Sequence, residues 1–256
     1  MGRTGCLVLA LGAAAALAAA AMGIALVLAR DPEPATIEDA LAAFRTELGG
    51  RAPLDAPLPE GVYVYATDGY EETDALTGVT NRYPSRSTIT VLRDPCGFRM
   101  RWEVTEGRST TWTVCMDADG WKLASQDERH TFFGKTERTT YTCPAAPFRL
   151  PGDEPGASAP VRCATRAAEE RGRIVVVSRE PVAVGRMEVD SVHLRRSTTL
   201  TGAIRGRTRH DVWLDRETSL PVQLRLWTST ANDSPIGEVR YREEVELRLE
   251  ALEPRR

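Results

Sequence analysis

The 256-residue chain contains no CxxC pair, no HExxH and no GxSxG. These absences remove the common sequence marks of redox dithiols, zinc hydrolases and serine hydrolases built on a nucleophile elbow. Histidine is scarce: His130, His193 and His210 are scattered through strand-like stretches and read as structural or solvated groups rather than catalytic ones. Gly134-Lys135-Thr136 imitates the end of a phosphate loop, but Arg129 stands where the first glycine of that loop is required. Asp68, Glu71, Glu72 and Asp74 lack the spacing of an EF-hand and read as a solvated loop. A formal net charge of -3 shows no basic surplus of the kind a nucleic-acid binder carries. No internal repeat is present, and no enzymatic activity, metal or cofactor is expected.

The chain does have one long apolar run, from Gly5 to Ala29. About 25 helical residues at 1.5 Å each span the roughly 30 Å hydrocarbon core. A cleaved signal peptide would have a shorter apolar region, so an uncleaved membrane anchor is expected. Cys6 has no apolar stretch before it and fits a buried helix position better than a lipobox. Arg30 is offset by Asp31 and Glu33, which favours the N-terminus inside and residues 31–256 outside. The expected organisation is an anchor over 1–30, a short helix and linker over 31–60, and an outer domain over 61–256, in the cell envelope of a bacterium.

Cysteine usage supports the same placement. Cys96, Cys115, Cys143 and Cys163 are an even set suited to disulfides in an oxidising compartment. Residues 97–104 and 109–116 read as two arms of a hairpin turning at Glu106-Gly107, which brings Cys96 opposite Cys115. The remaining pair, Cys143 and Cys163, then brackets a segment rich in Pro, Gly and Ala that is not expected to order itself.

Past the anchor, Thr36 is a candidate cap, and Ile37, Leu41, Phe44 and Leu48 follow at helical spacing until Gly49-Gly50. From Gly61 the period changes to two. Phe98, Met100, Trp102 and Val104 alternate with polar residues, as do Trp112 and Val114, Val222 and Leu224, and Tyr241, Glu243 and Val245. One helix followed by roughly ten strands predicts an α+β domain: a large curved antiparallel sheet with the helix covering its concave face.

The stretch DVWLDRETSLPVQLRL at 211–226 resembles the hairpin signature of the LolA-like lipoprotein-carrier superfamily, which includes RseB-type regulators and LppX/LprG-type lipoproteins. That resemblance implies an incomplete antiparallel barrel enclosing an apolar cavity for acyl chains, with the early helix plugging the open side. Candidate cavity residues are then Ile37, Leu41, Phe44, Leu48, Phe98, Met100, Trp102, Trp112, Val222, Leu224, Tyr241, Glu243 and Val245. The expected ligand is a lipid, a lipidated molecule or another apolar compound. A regulatory subunit contacting another membrane protein through the same fold is the first alternative, and a cell-envelope enzyme the second.

Two charged features stand apart from the apolar pattern. Arg205, Arg207 and Arg209 alternate, and with Arg195 and Arg196 they would form a basic ridge, either a solvated strand face or a docking surface for anionic headgroups. Glu243 interrupts the apolar face of the last strand. Since an unpaired buried carboxylate costs several kcal/mol, it is expected at a rim or bulge, beside an arginine, or protonated, with a polar handle inside a ligand cavity as the lesser reading.

Overall fold

The computed structural model describes residues 33–256 apart from 56, 57, 76, 77, 119, 133, 134, 235 and 236. The expected anchor and Cys6 lie outside the described residues, among which no helix is long and apolar enough to cross a membrane.

The helix α1 (Ile37–Leu48) starts where the sequence places it. The Thr36 side chain accepts a hydrogen bond from the Asp39 backbone N–H at 3.0 Å, and Glu38 and Asp39 lie in the first turn, where the helix dipole favours acids. Gly49 ends it with φ at 60°, a conformation that costs glycine little.

The strands that follow are β1 (Gly61–Thr73), β2 (Val79–Arg82), β3 (Arg86–Asp94), β4 (Gly97–Thr105), β5 (Arg108–Asp117), β6 (Gly120–Phe132) and β7 (Lys135–Ala145). They continue as β8 (Ser158–Ala164), β9 (Ala168–Val184), β10 (Met187–Gly202), β11 (Ile204–Asp215), β12 (Pro221–Ser234) and β13 (Gly237–Leu249). Neighbours in sequence pair antiparallel, and β13 pairs with β1 from Tyr65↔Leu249 to Thr73↔Tyr241, so the sheet closes on itself. β2 and β3 meet β1 in one continuous register, Tyr70↔Arg82 and Ala66↔Arg86, and act as a single stave interrupted at 83–85. The result is a closed twelve-stave barrel in place of the expected open half-barrel, which leaves no free main edge.

Closure changes the position of the helix. Ala40, Phe44 and Leu48 pack on Val62 and Leu92 in a small cluster separate from the main core, with Leu41 at its margin. Val62 and Leu92 belong to the outward faces of β1 and β3, whose inward faces carry Tyr63, Ile89 and Val91. Glu47 holds the helix to the outer wall by ion pairs to Arg99 and Arg101, the latter at 2.6 Å. So α1 covers the outside of the barrel, and Ile37, Leu41, Phe44 and Leu48 are not cavity residues. Two adjacent outward apolar side chains need a cover there, and a closed barrel has no concave side to offer.

Both expected disulfides are present, Cys96–Cys115 and Cys143–Cys163. The proline-rich segment between β7 and β8, expected to be unstructured, is ordered. Phe148 N–H bonds to Trp121 O at 2.9 Å and Leu123 N–H to Ala146 O at 2.8 Å, so the segment pairs with the start of β6. Phe148 then packs edge-on against Phe98 at 5.6 Å, closing one end of the barrel. Arg149 fastens it by bonding Asp153, Arg216 O and Ser219 Oγ, which ties the segment to the β11–β12 turn.

Candidate functional site

Because side chains alternate along a strand, each stave sends half of its residues into the lumen. The ladders shift register at five places among the described residues, two of which redirect strands that form the site. Ala124 is an extra residue in β6, where Thr113 opposes Ser125 but Val114 opposes Leu123. Val177 is an extra residue in β9, where His193 opposes Ser178 but Leu194 opposes Val176. Each bulge shifts the inward parity of its strand by one.

The lumen is divided along its axis. The end closed by Phe148 is apolar, with Phe98, Val114, Leu123, Leu194 and Leu214 buried there. Above it runs a belt of mixed character, traced by the register Met100↔Trp112↔Gln126↔Tyr141 on one side and Ile174↔Arg196↔His210↔Leu226 on the other. A cavity of about 80 Å³ lies between floor and belt, lined among others by Trp112, Phe148, Leu194 and Leu224, with Arg196 and His210 as its polar groups.

The opposite end is filled with ionisable groups. Arg108 grips Glu243 through Nε and Nη2, each 2.9 Å from a carboxylate oxygen, and the Tyr83 hydroxyl donates to the same carboxylate at 2.5 Å. The guanidinium carbon of Arg108 stands 5.0 Å over the Trp102 ring, a cation–π contact. Burial opposes ionisation of Glu243, and the charge and hydrogen bonds of Arg108 outweigh it, so the carboxyl stays below its usual range. The same carboxylate keeps Arg108 firmly protonated against its own desolvation.

His130 lies between two carboxylates, with Nδ1 3.5 Å from Glu71 and Nε2 3.8 Å from Glu128. Burial and Arg108 disfavour its charged form, but the two acids prevail and raise its pKa. In return, against the cost of burial, His130 holds Glu128 down at about 2. Gln126 Nε2 donates to Glu128 at 2.6 Å, while its own Oε1 is buried without a partner. Asn81 donates to Glu71 at 3.1 Å. On the far wall Arg196 pairs with Glu170 at 2.6 Å, and its buried Nε has no acceptor. His210, desolvated and facing Arg196, is held neutral with its pKa lowered to about 4.

Of the residues singled out from sequence, Met100, Trp112 and Leu224 line the cavity, and Phe98, Val222 and Val245 belong to the buried lumen core. Trp102, Tyr241 and Glu243 belong to the ionisable end, where Tyr241 donates to Glu71 at 3.3 Å. Glu243 is at neither a rim nor a bulge: the β12–β13 register runs unbroken through Thr228↔Glu243, and the arginine it was expected to need if buried is Arg108. The basic ridge also differs from expectation. Arg196 turns inward to Glu170. Outside, Arg195 and Arg209 share Asp211, and Arg205 is answered by Asp233 and Glu238, so most of the ridge is charge-paired. Glu71 is a lumen group rather than part of a solvated loop, and His193 is stacked on Trp213 at 4.0 Å with Asp211 at 2.7 Å.

Sequence reading missed Arg108, Glu128, Glu170 and the inward turn of Arg196. Arg108 shares the parity of Trp112 and Val114 and was legible on that ground. Glu128 was hidden by the bulge at Ala124, which moves the inward parity from Leu123 to Gln126.

No known protein family, curated protein or solved structure matches the chain.

Proposed function

We propose that this protein is a non-enzymatic binding protein of the bacterial envelope, tethered by Gly5–Ala29, whose barrel lumen takes a small amphipathic ligand. The observation that carries this reading is the cavity between Trp112, Phe148, Leu194 and Leu224, apolar on most sides with Arg196 and His210 as its polar groups, the Arg196 Nε being unpartnered. Ligand sites combine an apolar lining with a few convergent polar groups in this way. Its volume of about 80 Å³ is small against the roughly 300–1,000 Å³ of typical ligand sites, so the apolar part of the ligand is short. Two disulfides support an oxidising, extracytoplasmic setting. The LolA-like resemblance fits the β11–β12 hairpin, where Asp215 accepts from Glu217 N–H and Thr218 Oγ1 in the expected turn. A lumen mostly filled by its own side chains is what favours the regulatory alternative.

Native mass spectrometry of the full chain released from nanodiscs, followed by extraction of any bound compound, tests the proposal. A retained small amphiphile supports it. Filling the cavity with Leu224→Trp should abolish retention while the barrel stays folded. A chain that carries nothing and binds no amphiphile moves the regulatory reading ahead.

A further inference from the structure

Inside the lumen the charges do not balance among the described residues. Four carboxylates point inward, Glu71, Glu128, Glu170 and Glu243, against two guanidinium groups. Arg108 is committed to Glu243 and Arg196 to Glu170. Glu71 and Glu128 share His130, so even a protonated His130 leaves one negative charge in excess. Uncompensated charge in a protein interior is expensive, and an incoming cation relieves that cost where an incoming anion adds to it.

A second observation gives the position. Gln126 is 6 % exposed, and its Nε2 is spent on Glu128 while Oε1 is buried with no donor. Because a carboxylate only accepts, the atom facing Glu128 is the amide nitrogen and the orphan is an acceptor. Gln126 directly opposes Trp112, which lines the cavity, and Glu128 is two residues further along the same inward face. A hydrogen-bond donor bearing positive charge therefore has an acceptor and a carboxylate on the strand beside Trp112, next to an apolar seat.

We infer that the lumen selects an ammonium-bearing ligand, a primary alkylamine in the simplest case, with its alkyl part in the cavity and its nitrogen donating to Gln126 Oε1 and Glu128. This rests on the lumen-binding reading above. The orphan Nε of Arg196 does not favour a carboxylate ligand instead, because Glu170 already answers its charge and a second anion would deepen the excess.

The test is calorimetric titration of the full chain in nanodiscs at pH 7 with hexylamine, hexanol and hexanoate, with empty nanodiscs subtracted. Hexylamine should bind at least tenfold tighter than either analogue. Glu128→Gln should lower hexylamine affinity at least fivefold more than hexanol affinity, and Gln126→Met should act in the same direction should the first variant fail to fold. Equal binding of hexanol, tighter binding of hexanoate, or an amine preference that survives both substitutions overturns the ammonium inference while the lumen reading stands. Absence of binding by all three overturns the lumen reading, and the inference with it.

Discussion

Arg108 and Glu243 are 135 residues apart in the chain and meet across the lumen in a two-pronged ion pair between β5 and β13, strands that are not neighbours in the sheet. The pair links staves four apart around the barrel and is fully engaged, with Tyr83 and Thr110 satisfying further valences. Its stabilising value lies less in net attraction than in the cost of breaking it. Arg108→Met strands a buried carboxylate and should destabilise the barrel by about 3–5 kcal/mol, whereas Arg108→Met with Glu243→Leu should recover most of that loss. Urea unfolding followed by tryptophan fluorescence gives both numbers; a double variant no more stable than the single one would contradict this account of the pair.

The pH dependence of stability follows from the two lumen histidines, which act in opposite directions. His130 has a raised pKa in the folded state, so its contribution is complete below about 6.5 and is lost as pH rises through the folded value. His210 is held down at about 4, so between 6.5 and 4 the unfolded chain binds a proton that the folded one refuses, and stability falls with falling pH. At 1.36 kcal/mol per pH unit this loss is on the order of 3 kcal/mol. Stability should peak near pH 6.5, and His210→Gln should flatten the acid limb. Thermal unfolding of the variant from pH 4 to 7 checks this, with an unchanged slope counting against the assignment.

The disulfide Cys143–Cys163 closes a loop of 20 residues that carries Phe148 and Arg149 to the end of the barrel. Replacing both cysteines by alanine should cost about 3 kcal/mol in the chain-entropy view. It should also open the 151–157 stretch to limited proteolysis well before the strands are cut. Cys96–Cys115 staples a hairpin already aligned by its ladder, so its removal should leave that proteolytic pattern unchanged.

Helix and cavity lie on opposite sides of the β1–β3 wall, which makes them separable. Phe44 is fully buried outside the lumen, so Phe44→Ala should cost about 3–5 kcal/mol through cavity creation while ligand affinity of the folded fraction is retained. A proportional loss of binding would mean that the helix does shape the ligand site.

The sequence made legible what depends on neighbours in the chain. The helix with its Thr36 cap, the β4–β5 hairpin and both disulfides follow from spacing over a few tens of residues. Barrel closure does not, because the β13–β1 ladder joins strands more than 160 residues apart and neither strand's pattern marks its partner. The position of α1 was misread for the same reason: an apolar helical stripe specifies that it must be covered, not which face of a sheet covers it. The polar lumen was hidden by Ala124 and Val177, since a single inserted residue exchanges the inside and outside of everything beyond it. Glu243 was the one lumen acid visible beforehand, because its strand has no bulge along the β12 ladder.

Glu33 O accepts from the Glu106 N–H at 2.9 Å, and the Ala35 N–H bonds to Val104 O at 3.2 Å, so the described chain begins at the β4–β5 turn. That turn belongs to the ionisable end of the barrel, while the end closed by Phe148 lies beyond the last turn of α1. If Gly5–Ala29 is the membrane helix, as proposed, residues 30–32 would span at most about 10 Å and would hold the ionisable mouth next to the headgroups. Inserting a flexible linker of about 20 residues after Asp31 would give that tether a reach of roughly 25 Å while leaving every contact in the barrel intact. A ligand delivered from the bilayer should then load severalfold more slowly from labelled vesicles, at unchanged equilibrium affinity. Equal loading rates for the two chains would mean that ligand arrives through the aqueous phase and that the tether does not position the mouth.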